Sequence, residues 1–372
     1  MTTSIDPARR HLVLGGLAAL ALPAAAQHVP GNVALPFYGP PDFMQGAWRR
    51  WFAPRAQDFQ QRAQALVAAL SAQCAAAAGD TAALAAAPTG EGAPLAAARR
   101  AWGEAALALG RLSSVSVGPL LQRRTLRQID FAPTRPELIR RAIAQAPQDA
   151  AALERIGTPA KGLPALEWLL WTQPPAPGTP ACRYAQLLAE NVLAEAQALA
   201  QAFTALAAAQ PDPDDEEAGE AAAVAMSEVV NQWVGGVERL RWPFMDKPLK
   251  SAPKGKPPAY PRAASGLSRE AWAAQWQGLR TLAVAPDDSV PQPGQDLVAL
   301  ETYMRGRGLN PLADRWAATV RKVDEAMAAA RPDAPASVQA ASRAVAGLKQ
   351  LAEAELAPAL NIRIGFSDAD GD

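Results

Sequence analysis

Histidine is almost missing from this 372-residue chain; the two that occur are His11 and His28. Both precede the first segment with helical spacing. The body of the chain therefore cannot build a Ser-His-Asp triad, a His-x-Glu-x-x-His zinc site or a histidine acid–base pair. Cysteine is nearly as scarce, with only Cys74 and Cys182. An oxidising compartment allows one disulfide between them, two separate buried thiols are equally compatible, and spacing alone does not choose. Neither cysteine has a histidine in the body to activate it as a nucleophile. There are only 4 Tyr and 8 Phe, and β-branched runs are few, which disfavours sheet. Net charge is also lacking: 36 basic residues face 36 acidic ones, so nucleic acid or an anionic membrane is not expected as the main partner.

Alanine is abundant and there are 34 prolines, a pairing that suits helices cut apart by proline-rich connections. The amino terminus reads as a signal peptide over residues 1–26. Arg9 and Arg10 precede the apolar run Leu12–Leu22, and an Ala-x-Ala cleavage pattern ends at Ala26. The run is too short to anchor, and no later stretch has the ~20 apolar residues of a transmembrane helix. The expected location is the periplasm, by general secretion or a twin-arginine route, with no transmembrane anchor in the mature chain.

Helical spacing predicts segments from Asp42, taken as a cap, toward Cys74, with Pro54 as an interruption, and from Pro94 to Leu109. Shorter helices are predicted over Glu137–Ala146 and Asp149–Ile156, and long ones over Tyr184–Ala209 and Ala221–Leu240. Asp212–Glu217 reads as a solvated acidic connection. Asp246–Ser265, rich in proline and lysine, reads as a long solvated surface loop, after which Ser268 caps the next helix. Segments near Gln295–Arg305, Pro311–Ala330 and Ala336–Leu356 complete an all-α chain. The length favours two domains, read as irregular four-helix-type bundles over residues 27–210 and 218–372.

One segment looks like a site. In Gly162-Leu163-Pro164-Ala165-Leu166-Glu167-Trp168-Leu169-Leu170-Trp171, Pro164 fits the first turn of a helix whose apolar stripe is Leu163, Leu166, Leu170 and Trp171. Glu167 falls on that stripe, and its neighbours Ala165, Trp168 and Leu169 are apolar too. A carboxylate there is either paired with a cation or lines an internal cavity, because an isolated buried charge would be neutralised. Trp102 and Trp168 read first as core aromatics and second as ligand contacts. Asp368-Ala369-Asp370-Gly371-Asp372 lacks the downstream glutamate of a calcium loop and reads as a chain terminus.

The segment resembles the signature of the imelysin-like proteins, a Gly-x-His-x-x-Glu motif followed by an aromatic and leucine-rich run. Gly162, Glu167 and Trp168–Trp171 match, and Pro164 stands at the histidine position. Ala97–Trp102 and the Gly365–Asp372 ending also resemble that family, and the Gly-Leu-Pro-Ala-Leu-Glu form is similar to a periplasmic branch of it. The resemblance implies a bilobed all-helical fold of two bundles, a site between or beside them, and an association with iron uptake. It points to Glu167, Gly162, Pro164, Trp168, Trp102 and Asp370 as ligand-binding candidates, with no catalytic residue assigned. In the family motif, histidine and glutamate three residues apart could offer nitrogen and oxygen to one metal ion. Proline offers no ligand. The expected function is therefore a binding component, for a small ligand, a metal or an envelope protein, and not an active peptidase. A carboxylate-only site for iron or another cation, as in a divergent metallopeptidase, is the alternative; a structural envelope protein is the third.

Overall fold

The computed structural model describes residues 35–75, 93–210 and 215–365. The signal segment with both histidines, residues 211–214 of the acidic run, and the tail with Asp370 lie outside them. All secondary structure among the described residues is helical. The principal helices are α1 Pro40–Ala47, α2 Ala53–Ala75, α3 Ala93–Leu112, α4 Pro136–Ala144 and α5 Gly162–Trp171, followed by α6 Pro180–Ala208, α7 Glu216–Arg241, α8 Ser268–Ala283, α9 Asn310–Ala329 and α10 Pro335–Leu351.

The helices close into two rings. In the first, α2 packs on α3, α3 on α5, α5 on α6 and α6 back on α2. In the second, α7 packs on α8, α8 on α9, α9 on α10 and α10 back on α7. Contacts of α3 with α8, and of α1 with α7, join the two rings over one continuous apolar core. Large aromatics fill that core, and several of them donate hydrogen bonds across helices. The indoles of Trp233, Trp272 and Trp316 donate to the carbonyls of Leu279, Phe244 and Ala283. Each buried tryptophan thereby fixes a neighbouring element as well as filling space. Gly236 of α7 lets the two rings approach closely, because a Cβ there would overlap the Ser114 carbonyl oxygen.

Proline interrupts the chain less than its sequence suggests. Pro54 does not break the first helical run: a π-helical turn at Trp48–Phe52 carries α1 into α2. The same device recurs at Trp242–Asp246 ahead of Pro248 and at Ala352–Leu356 ahead of Pro358. In all three cases the residue four before the proline lies within the π turn. A proline ring normally collides with the carbonyl of residue i−4, and the wider turn relieves that collision without ending the helix. Asp246–Ser265 is accordingly not all loop, since Lys247–Ser251 continues the helix.

Two caps differ from expectation. Gly39 occupies the N-cap of α1, and Asp42 sits in the first turn, where its carboxylate accepts from the Gly39 amide at 2.8 Å. Ser268 is the first residue of α8, and its hydroxyl donates to the Pro261 carbonyl at 2.8 Å instead of capping. The segment expected near Gln295–Arg305 is helical only over Leu300–Gly306.

The two cysteines form a disulfide, Cys74–Cys182, with Cα atoms 5.6 Å apart, joining the end of α2 to the start of α6. It closes a long loop, so opening it enlarges the unfolded ensemble. Urea unfolding of Cys74→Ala/Cys182→Ala is expected to show a loss of about 2–4 kcal/mol relative to the oxidised protein.

Candidate functional site

The motif helix starts where only glycine fits well. Gly162 has φ +72°, in the left-handed region, and a Cβ there would overlap the Ile129 carbonyl oxygen. Pro164 follows in the first turn, where its missing N–H costs no intrahelical bond, and it is buried. Leu163, Leu166 and Leu170 are fully buried, and Glu167, between them on the same face, is 8% exposed.

A loop from the far side of the chain satisfies this carboxylate. Glu167 Oε1 accepts from the Ser265 amide at 3.0 Å and from the Ser265 hydroxyl at 2.7 Å. Arg262 lies 3.9 Å from Oε2 and is also hydrogen-bonded to Asp130, the residue that ends the Thr125–Ile129 helix. Arg262 itself has φ +64°, a conformation that costs a non-glycine residue roughly 1–2 kcal/mol. Its two carboxylate partners offset that strain. Trp102 supports the guanidinium from one side, with its ring centroid 5.4 Å away, and ties itself to the motif helix by donating to Leu163 O at 3.0 Å.

A second guanidinium extends the network. Arg239 of α7 donates to the Ser113 carbonyl and feels the favourable charge of Asp130. Burial pushes its pKa down to about 10, so it remains charged at neutral pH. Its buried Nε has no hydrogen-bond partner, nor does the buried hydroxyl of Tyr260, two residues before Arg262. Arg262, Arg239, Asp130 and Glu167 balance in charge, as an interior ion network must.

Of the sequence candidates, Gly162, Pro164, Glu167 and Trp102 come together here. Trp168 is half-buried and stacks on Arg140 of α4, with the guanidinium 5.2 Å from its ring. Arg262, Ser265, Asp130 and Arg239 carry no spacing signal that links them to Glu167; the hydrogen bond to Ser265 spans 98 residues. The donor set does not suit a metal ion. One Glu167 oxygen is taken by two donors, the other faces a cation, and Pro164 supplies nothing. Among the described residues no group of three or more His, Cys, Asp or Glu is arranged to hold a metal.

A buried carboxylate is not by itself peculiar to the motif. Glu195 of α6 is equally enclosed, and it accepts from Arg123 at 2.7 Å and from Thr125 at 2.6 Å, which holds the short helices before Asp130 in place. Thermal or urea unfolding of Glu195→Ala is expected to reveal a loss of about 3 kcal/mol, mostly from the unpartnered groups left behind.

Two four-helix rings on one core, with a glycine-started helix whose glutamate is sealed by an arginine-bearing loop, define an all-helical scaffold with an interior polar clasp. The imelysin family model, also described as peptidase M75, matches residues 50–360, and the chain belongs to that family. An imelysin-like protein from Psychrobacter arcticum has a similar structure, with TM-score 0.69 at 18% identity, covering 90% of this chain and 100% of that one. So does a protein from Parabacteroides distasonis named as a candidate iron-regulated protein A precursor, with TM-score 0.61 at 14% identity, over 84% of this chain and 93% of the other. No curated relative aligns significantly with the chain. Among the described residues no helix is long and apolar enough to cross a membrane.

Proposed function

We propose that this protein is an exported, periplasmic binding component linked to iron uptake, and that it does not hydrolyse peptides. The observation that carries this reading is the clasp. The motif glutamate spends its oxygens on Ser265 and Arg262, so it is placed to hold two parts of the chain together around a polar interior and not to activate a water molecule. Pro164 removes the one nitrogen ligand the family motif would supply. The iron link draws on the name of the Parabacteroides relative. In this reading residues 1–26 are removed on export, 27–210 and 218–372 are the two bundles, and a ligand is held where the 252–267 loop meets the motif helix. Arg239 Nε and the Tyr260 hydroxyl offer hydrogen-bonding capacity that the protein leaves unused. Glu167, Gly162, Pro164 and Trp102 shape that place; Trp168 and Asp370 remain ligand-binding candidates from the sequence, Asp370 outside the described residues.

The test has two arms. Purified mature protein, supplied with zinc or iron, is expected to leave casein and fluorogenic peptides uncut. Ferric citrate is expected to change the tryptophan fluorescence, with a weaker response in Trp102→Phe. Reproducible cleavage lost specifically in Glu167→Gln would overturn the reading. A null mutant whose growth at limiting iron is restored equally by wild type and by Glu167→Gln would move the protein to a purely structural role.

A further inference from the structure

The zero net charge of the chain conceals a local asymmetry. From Lys247 to Arg269 there is no aspartate or glutamate, while Lys247, Lys250, Lys254, Lys256, Arg262 and Arg269 all occur. Arg262 is spent inside on Asp130, and Arg269 donates to the Ala328 carbonyl. The lysines are different. Lys247, Lys254 and Lys256 are exposed and form no ion pair among the described residues, and Lys250, though paired with Asp246, has a side chain 64% exposed.

These lysines follow the most exposed tryptophan in the sequence, and Lys250 lies beside its ring. The chain has 10 tryptophans, and Trp242 is the most open to solvent, at 41%. Its ring lies 5.0 Å from the Lys250 ammonium and 5.9 Å from the Arg241 guanidinium. The platform beneath is firm. Trp242 opens the second π turn, Met245, Asp246 and Pro248 are buried behind it, and Arg241 fixes Asp246 at 2.9 Å. At the other end of the loop, buried Tyr260 packs edge-on against Trp272. A rigidly mounted indole thus stands beside a short basic loop held at both ends.

We propose that Trp242 and the Lys247–Lys256 segment form a docking surface for an anionic phospholipid membrane. The chemistry favours lipid over an acidic protein. Lysine ammoniums on the short Lys247–Ser251 helix and on the Gly/Pro loop after it supply charge without the fixed fork geometry of arginine, and lysine is depleted from the cores of protein interfaces. Diffuse lysines beside a tryptophan match what a headgroup layer rewards: attraction to anionic lipid for each cation, and an amphipathic ring at the interface. Three or four cations give a weak, reversible association that salt suppresses.

Flotation of the full mature protein with vesicles tests this. The probes are phosphatidylcholine alone and phosphatidylcholine with about 30% phosphatidylglycerol, at low and high salt. Binding is expected only to the anionic vesicles and only at low salt. The exposed triple variant Lys247→Gln/Lys254→Gln/Lys256→Gln, with an unchanged circular dichroism spectrum, is expected to bind at least about tenfold more weakly. Trp242→Ala is expected to weaken binding further without altering its salt dependence. Failure to float with anionic vesicles, equal binding to neutral ones, or an unaffected triple variant would overturn the proposal. So would binding to poly-glutamate with none to vesicles, which would assign the surface to an acidic protein.

Discussion

Arg262→Ala is expected to cost the fold about 3–5 kcal/mol, the range for removing one partner of a buried ion network. The guanidinium contacts both Asp130 and Glu167, and each carboxylate is largely enclosed. Without it, both carboxylates lose their arginine partner, with Ser265 for Glu167 and the more distant Arg239 for Asp130 as the remaining support. Urea unfolding at neutral pH measures the loss. A loss below about 1 kcal/mol would show that Asp130 and Glu167 do not depend on this cation.

Gly162→Ala is the second large effect. The left-handed backbone costs an alanine roughly 1–2 kcal/mol, and the new methyl must also displace the Ile129 carbonyl. That carbonyl belongs to the residue directly before Asp130, so the displacement reaches the clasp itself. A total loss of about 3 kcal/mol or more is expected, read as a lower urea midpoint and weaker protection of the Ser265 amide from hydrogen exchange. A loss below about 1 kcal/mol would show that the close approach is easily relaxed.

These two residues also mark where sequence reading succeeds and where it stops. Glycine at the head of a helix and a glutamate on an otherwise apolar stripe are local patterns. The glycine reads only as a motif match, whereas the glutamate reads as a buried carboxylate that needs a partner, and Glu167 is buried against Ser265 and Arg262. The all-helical class followed similarly from alanine-rich periodicity between prolines. The partner did not. Arg262 and Ser265 sit in a stretch whose lysines and prolines resemble any solvated connection, and their inward turn depends on the left-handed conformation of Arg262 and on Asp130, far away in sequence. Pro54 and Pro248 misled for a related reason: local rules say that proline ends a helix, while the packed core around Trp51 and Met245 stabilises a π turn that lets it continue. The sequence leaves the disulfide as one of two open readings, and the adjacent ends of α2 and α6 decide it.

The claim that Glu167 acts by holding the loop to the motif helix is tested most directly by a double-mutant cycle. Stabilities of wild type, Glu167→Met, which removes the acceptor that Gln would keep, Ser265→Ala and the double variant are compared by urea unfolding. Charge-assisted bonds of this kind give an expected coupling of about 1.5–3 kcal/mol between the two positions. Additive losses, with coupling near zero, would contradict the clasp and return Glu167 to the list of groups free to do chemistry.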